Sequence, residues 1–284
     1  MSKAMCWIVV CCLAGFTGMV SAERLEAFRW QANSSSPAGL VQGMMTAAKM
    51  HEKYGAQVGI YRMDVGGSGY PTFDYILRWD SAEAWAKTKE TNTNEEWQAF
   101  WEQAAASPSG TLLYSLEGLN WDASAKAADF AQDGPYRVYV WQPNAGKAAA
   151  VYAAFSRAKE MHTAMGAKVS IYNEGVGGTG KVHYVMSFDD WAEMAAFGDK
   201  VAASEEFRFL QAAAAGAATP IGSIQGLGYF VMNSSSLSFS SSASTFANQL
   251  IEMYTSSFGS WAYIIIGLAT FTTMFSTTIT TLDA

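Results

Sequence analysis

The sequence predicts an α+β chain built from two copies of one β-α-β-β-α-β unit, and three observations predict it. The segment 50–69 returns at 161–180 with eleven of its twenty positions identical, at a constant offset of 111 and without a gap. A long fixed period of this kind marks a structural unit used twice. Within each copy, runs that alternate apolar and polar residues flank a run with apolar residues every three to four positions. These are the signatures of half-buried strands and of a helix facing a core. Composition agrees: half the residues are hydrophobic and 14% are aromatic, which is too apolar for a disordered chain.

The elements follow in order. Phe28 and Trp30 alternate with Arg29 and Gln31 in a first strand over residues 27–32. Past the turn-prone residues 33–37, a helix over 38–54 carries the stripe Leu40, Met44, Ala47 or Ala48, His51 and Tyr54, and Gly55 ends it in the position of a left-handed cap. Residues 57–63 form a second strand with Val58 and Ile60 on one face, residues 65–70 a glycine turn, and 73–79 the third strand of a hairpin. Asp80 and Glu83 have the spacing of a capping box. The helix they begin breaks near 91–94 and restarts at Glu95 with Trp97, Phe100 and Trp101, and residues 112–121 supply a fourth strand. This order is the ferredoxin-like split unit.

An alanine-rich connector over 122–135 leads to the second copy. Its parts are a strand over 136–142, a helix over 145–165 with the stripe Val151, Phe155, Ala158 and His162, strands over 168–173 and 181–188, helices beginning at Asp190 and Ser204, and a last strand over 221–231. The domain reading is therefore a leader over 1–22, repeat 1 over 23–121, the connector 122–135, repeat 2 over 136–232, a serine-rich linker 233–252 and a hydrophobic segment 253–284.

Residues 1–22 read as a secretory signal: Lys3, an apolar run, then Val20-Ser21-Ala22 with small residues where signal peptidase needs them. All three cysteines lie in this leader. A mature chain without it has no disulfide, no thiolate metal site and no cysteine nucleophile. The barrel is thus expected on the periplasmic or extracellular side. The net charge of −7 offers no basic stripe, which argues against nucleic acid as a partner. Residues 253–282 hold no charged residue, and about 20 apolar residues suffice to cross a bilayer, so this segment is expected to tether the protein to a membrane. It has no flanking Lys or Arg to orient it.

The repeat resembles the dimeric α+β barrel superfamily, and within it NIPSNAP-type domains. The resemblance covers about residues 23–233 and rests on the helix ending in Met-His, the Gly-Ala and strand after it, and Glu95-Glu96-Trp97-x-x-Phe100, answered by Glu205-Glu206-Phe207. It implies that two ferredoxin-like units pair their sheets into a barrel, here as an internal pseudo-dimer. It also brings in the cofactor-independent monooxygenases and isomerases of that superfamily. Separately, residues 259–284, above all Phe271-Thr272-Thr273-Met274-Phe275-Ser276 and Leu282-Asp283-Ala284, resemble one transmembrane segment of Nramp-type divalent metal transporters. That family's metal-binding motifs have no counterpart in this chain, so the resemblance implies a truncated or fused segment and no transport.

His51 and His162 are the candidate catalytic residues, each on the apolar stripe of its first helix. One reading is a general base or a ligand contact; the other is a buried histidine that ties helix to sheet. Trp30, Tyr61, Trp79, Trp141, Tyr172 and Phe188, with Trp97, Trp101 and Phe207 beside them, are candidates to line a ligand cavity or to fill the core. The turns Gly66-Gly67-Ser68-Gly69 and Gly177-Gly178-Thr179-Gly180 join two strands and lack the helix dipole of a phosphate cradle. Asp64 and Glu174, next to those turns, are a conceivable carboxylate pair. No metal site and no cofactor are expected; haem lacks its cysteine motif, which leaves a lone His51 or His162 ligand. The sequence thus points to an exported, membrane-tethered barrel that holds a small apolar ligand or a protein partner. The rival reading is a cofactor-independent enzyme.

Overall fold

The computed structural model describes residues 23–33, 36–66, 71–130 and 133–230, with Phe209, Ala213, Ala214, Tyr229 and Phe230 described by backbone only. The leader, the linker, the tail 253–284 and the tip of the first glycine turn lie outside the described residues. Repeat 1 runs β1 (Arg24–Ala32), α1 (Pro37–Lys53), β2 (Gln57–Val65), β3 (Thr72–Trp79), α2 (Ala82–Thr91), α3 (Glu95–Ala106) and β4 (Gly110–Asn120). Repeat 2 runs β5 (Gly134–Pro143), α4 (Ala148–Ala164), β6 (Lys168–Glu174), β7 (Val182–Ser187), α5 (Trp191–Ala203), α6 (Glu205–Ala215) and β8 (Ala218–Phe230). Among the described residues no helix is long and apolar enough to cross a membrane.

The eight strands close into one antiparallel barrel in the order β1-β3-β2-β8-β5-β7-β6-β4. Each repeat alone would leave β2 and β4, or β6 and β8, with open backbone edges, and closure removes such edges. The seams are β2 on β8, running from Gly59↔Phe230 to Val65↔Gln225, and β4 on β6, confined to Gly118↔Glu174 through Asn120↔Tyr172. The first seam demands glycine at Gly226, where an added Cβ would collide with the Arg62 carbonyl oxygen.

Period-2 alternation sorts every strand into a lumen face and a helix face. On β3, Phe73, Tyr75, Leu77 and Trp79 enter the helix-side core of repeat 1 with Leu40, Met44 and Ala48 of α1. Val182, Tyr184 and Met186 of β7 enter that of repeat 2 with Val151 and Phe155 of α4. Each such large side chain, fully buried, contributes roughly 1.5–3 kcal/mol. The helices end at Gly55 and Gly166, whose φ values of 95° and 110° lie in the left-handed region.

Two sequence expectations need correction. β1 starts at Arg24, three residues before the expected position, because Glu23 and Glu26 are buried with partners: Glu26 accepts from the Trp85 indole N–H at 2.7 Å. The cap of α2 is Ser81, which accepts from Ala84 N–H at 3.1 Å, and not Asp80. Asp80 instead accepts from Ala127 N–H at 2.7 Å and pins the connector, whose short 3₁₀ turn Ala127–Phe130 lies over one end of the barrel with Phe130 against Arg78. In repeat 2, Asp190 does cap α5, accepting from Glu193 N–H at 2.8 Å.

Candidate functional site

The two histidines occupy matching positions with different surroundings. The stripe of α1 points His51 at the sheet, where Nδ1 lies 2.8 Å from the hydroxyl of Tyr75. The stripe of α4 does the same for His162 and Tyr184, again at 2.8 Å. Burial lowers both imidazoles to about 4, with the Lys89 charge adding to the effect at His51. Both rings are therefore uncharged at neutral pH. Burial also raises Tyr75 and Tyr184, which keep their protons.

Over His51 stands Trp97, fully buried, with ring centroids 4.4 Å apart. The residue in that place in repeat 2 is Phe207, 4.9 Å from His162, with Phe197 at 5.2 Å on another side. The smaller ring goes with a cavity of about 490 Å³ between α4, α5, α6 and the sheet, lined among others by Trp141, Phe155, Ala158, His162, Phe207 and Leu210. Nε2 of His162 is buried at its wall and has no hydrogen-bond partner. An unpaired buried polar atom costs about 1–3 kcal/mol, which a ligand atom reaching Nε2 would recover. The Nδ1 contact is ambidextrous. If Tyr184 donates, Nε2 carries the proton; if Nδ1–H donates, Nε2 is a bare acceptor.

The barrel lumen forms a second cavity, of about 480 Å³. At one end Arg78 donates to Glu23 at 3.1 Å and to the hydroxyls of Tyr172 at 2.9 Å and Tyr61 at 3.3 Å, while Glu23 also accepts from Asn120 at 2.7 Å. Four residues further along β1 from Leu25, which pairs with Arg78, a distance of about 13 Å, Arg29 makes a two-pronged pair with Asp74 at 2.8 and 2.7 Å and lies over the Tyr114 ring. Nearby, Glu174 meets Nε2 of His183 at 2.8 Å.

The residues expected to share one cavity are thus divided. Tyr61 and Tyr172 line the lumen, and Trp141 lines the cavity beside His162. Trp30 and Trp79 lie in the helix-side core of repeat 1 and Phe188 in that of repeat 2. Asp64 pairs with Arg62 and Glu174 with His183, so they form no carboxylate pair. Among the described residues no group of three His, Cys, Asp or Glu could hold a metal ion. With the Phe207 ring 4.9 Å from His162, Nε2 has no open face for a haem iron, and a planar macrocycle needs far more room there than a single phenol hydroxyl, so the site does not fit that group. Sequence reasoning missed Tyr75 and Tyr184, which correspond at an offset of 109 once the hairpin turn shortens by two residues. It also missed Arg29, Asp74 and Arg78, whose signal was charge at lumen-face positions of otherwise apolar strands.

Architecture and closure define the class: this is the dimeric α+β barrel fold, with both halves in one chain. A candidate monooxygenase from Fusobacterium nucleatum matches it with a TM-score of 0.52 at 10% identity, over 75% of this chain and 94% of that one. A candidate monooxygenase from Lactobacillus acidophilus matches at 0.48 and 10% identity, over 74% and 95%. A candidate chlorite dismutase matches at 0.45 and 10% identity, over 74% and 95%. No family model matches the chain, and no curated protein does. The NIPSNAP-type and Nramp-type resemblances therefore rest on their residues alone.

Proposed function

We propose that the cavity of repeat 2 is a substrate site for a small, flat, largely apolar molecule with one ionisable hydroxyl, and that His162 with Tyr184 handles its proton. The reaction class is cofactor-independent oxygenation, with isomerisation by proton transfer as its relative. The observation that carries this reading is Nε2 of His162, buried and unpartnered at the wall of an aromatic cavity. A swing of the Phe207 ring uncovers it. The phenol proton passes to Nε2 while Nδ1–H bonds to Tyr184, and the imidazolium stays paired with the phenolate. An electron-rich phenolate can give electrons to dioxygen directly; the ring gains one oxygen atom to become a quinone, and the other leaves as water. The shared fold of a candidate monooxygenase is in keeping with this chemistry.

The lowered basicity of His162 favours a second reading, a barrel that binds such a molecule, or a protein partner, without turnover. Export and tethering by residues 253–284 belong to the same proposal. The test is oxygen uptake with a panel of one-ring and fused-ring phenols at pH 7, comparing the natural protein with His162→Leu and with His51→Leu as control. Loss of about 100-fold or more in His162→Leu alone is expected for a proton-handling group. Equal uptake by the natural protein and His162→Leu would sink the enzyme reading, and binding without any uptake would select the second.

A further inference from the structure

We infer that the barrel lumen is a second ligand site, separate from the cavity of repeat 2, and that it takes a neutral, mostly apolar molecule carrying one hydroxyl group. An eight-stranded barrel is just wide enough to be filled by its own side chains or to hold one small ligand. Here the lumen keeps about 480 Å³, within the size range of small-molecule sites. Its space comes from small residues at inward positions. Gly118 is overlain by Leu25, Gly228 admits the Tyr61 ring, and Gly222 faces nothing within 4 Å.

The wall sets the ligand's chemistry. Its middle belt is Leu25, Ala27, Ile76, Val138, Val140 and Val185, all apolar. Its two arginines are matched within the wall, Arg29 with Asp74 and Arg78 with Glu23, while Lys181 lies at the Glu174 end. A charged ligand would have to lose its hydration and break one of these pairs, so net charge is selected against. Polar capacity remains at the Tyr114 end. Burial alone would raise Glu174, but hydrogen bonds from His183, Thr179 and Lys181 outweigh it and hold the carboxylate at about 2. Glu174 lies 2.8 Å from Nε2 of His183, and in the tautomer that directs Nε2–H at this carboxylate Nδ1 is an acceptor. The Tyr114 hydroxyl makes no hydrogen bond among the described residues. One ligand hydroxyl can therefore donate to His183 Nδ1 and accept from Tyr114, while the hydrocarbon body lies along the belt.

The experiment uses the full chain with 2-naphthol, and with 2-naphthoate as its anionic counterpart, followed by probe fluorescence and calorimetry. In an Ala158→Phe protein, whose repeat-2 cavity is filled, one equivalent of 2-naphthol should still bind, with 2-naphthoate at least about tenfold weaker. Adding Ala27→Phe, which fills the lumen, should abolish that binding. Tyr114→Phe in the Ala158→Phe background should weaken it about three- to tenfold, with the melting temperature unchanged. Should Ala27→Phe fail to fold, Tyr114→Phe decides. The inference is overturned if a folded Ala158→Phe protein binds no 2-naphthol, if it binds 2-naphthoate equally well, or if neither lumen substitution weakens binding.

Discussion

His51 and His162 share a bond length, a helix position and a lowered basicity, yet their neighbours assign them different work. Under fully buried Trp97, His51 lines neither of the two cavities described above and acts as an anchor between α1 and β3. His51→Ala should therefore cost about 1–3 kcal/mol in urea unfolding, because it leaves the Tyr75 hydroxyl unpaired, and should leave oxygen uptake intact. Both histidines also couple stability to pH. Their folded values near 4 lie below the unfolded value of 6.5, so the unfolded chain binds more protons between those limits. Stability is complete above about pH 6.5 and falls as pH drops toward 4. Melting curves across that window should flatten in the double variant His51→Gln/His162→Gln; an unchanged slope would show that other groups govern it.

At the scale of elements, the repeats differ where α3 and α6 meet the sheet. Trp97 in α3 and Phe207 in α6 sit over equivalent histidines, and the cavity of about 490 Å³ lies beside the phenylalanine. Phe207→Trp should close that cavity and remove binding there while the chain keeps its fold, since the same ring is accommodated in repeat 1. Calorimetry on this variant should count one equivalent of 2-naphthol fewer than in the natural protein, and an unchanged count would show that this cavity holds none. The connector offers a separate check. Asp80→Ala removes the acceptor for Ala127 N–H, at a cost of about 0.5–1.5 kcal/mol. Limited proteolysis should then cut within 122–133 sooner than in the natural protein.

Across the whole molecule, stability depends on two unlike seams. β2 and β8 pair over a long register, whereas β4 and β6 meet only from Gly118 to Asn120. Gly226→Ala drives a methyl group into the Arg62 carbonyl on the longer seam, so it should destabilise far more than Gly222→Ala, which faces open space on the same strand. Thermal unfolding of the two variants side by side tests this. Comparable melting temperatures would mean that β8 can shift without opening the barrel.

The sequence by itself determined the repeat, the element order and which helix face is buried, because periodicity and the Gly55 and Gly166 stops are local properties of the chain. It also placed His51 and His162 on that face. Only the tertiary structure decided what surrounds each one, since Tyr75, Tyr184, Trp97 and Phe207 arrive from distant elements. Trp30 and Tyr61 look alike as strand aromatics, yet one faces helices and the other the lumen. A strand's alternation tells that its faces differ, and only the closure of the sheet tells which is inside. Arg29, Asp74, Arg78 and Glu23 read in sequence as surface charges. They are tolerated in the interior because the pairing of β1 with β3 brings each one a partner of opposite sign, and no local pattern records a contact made across the sheet.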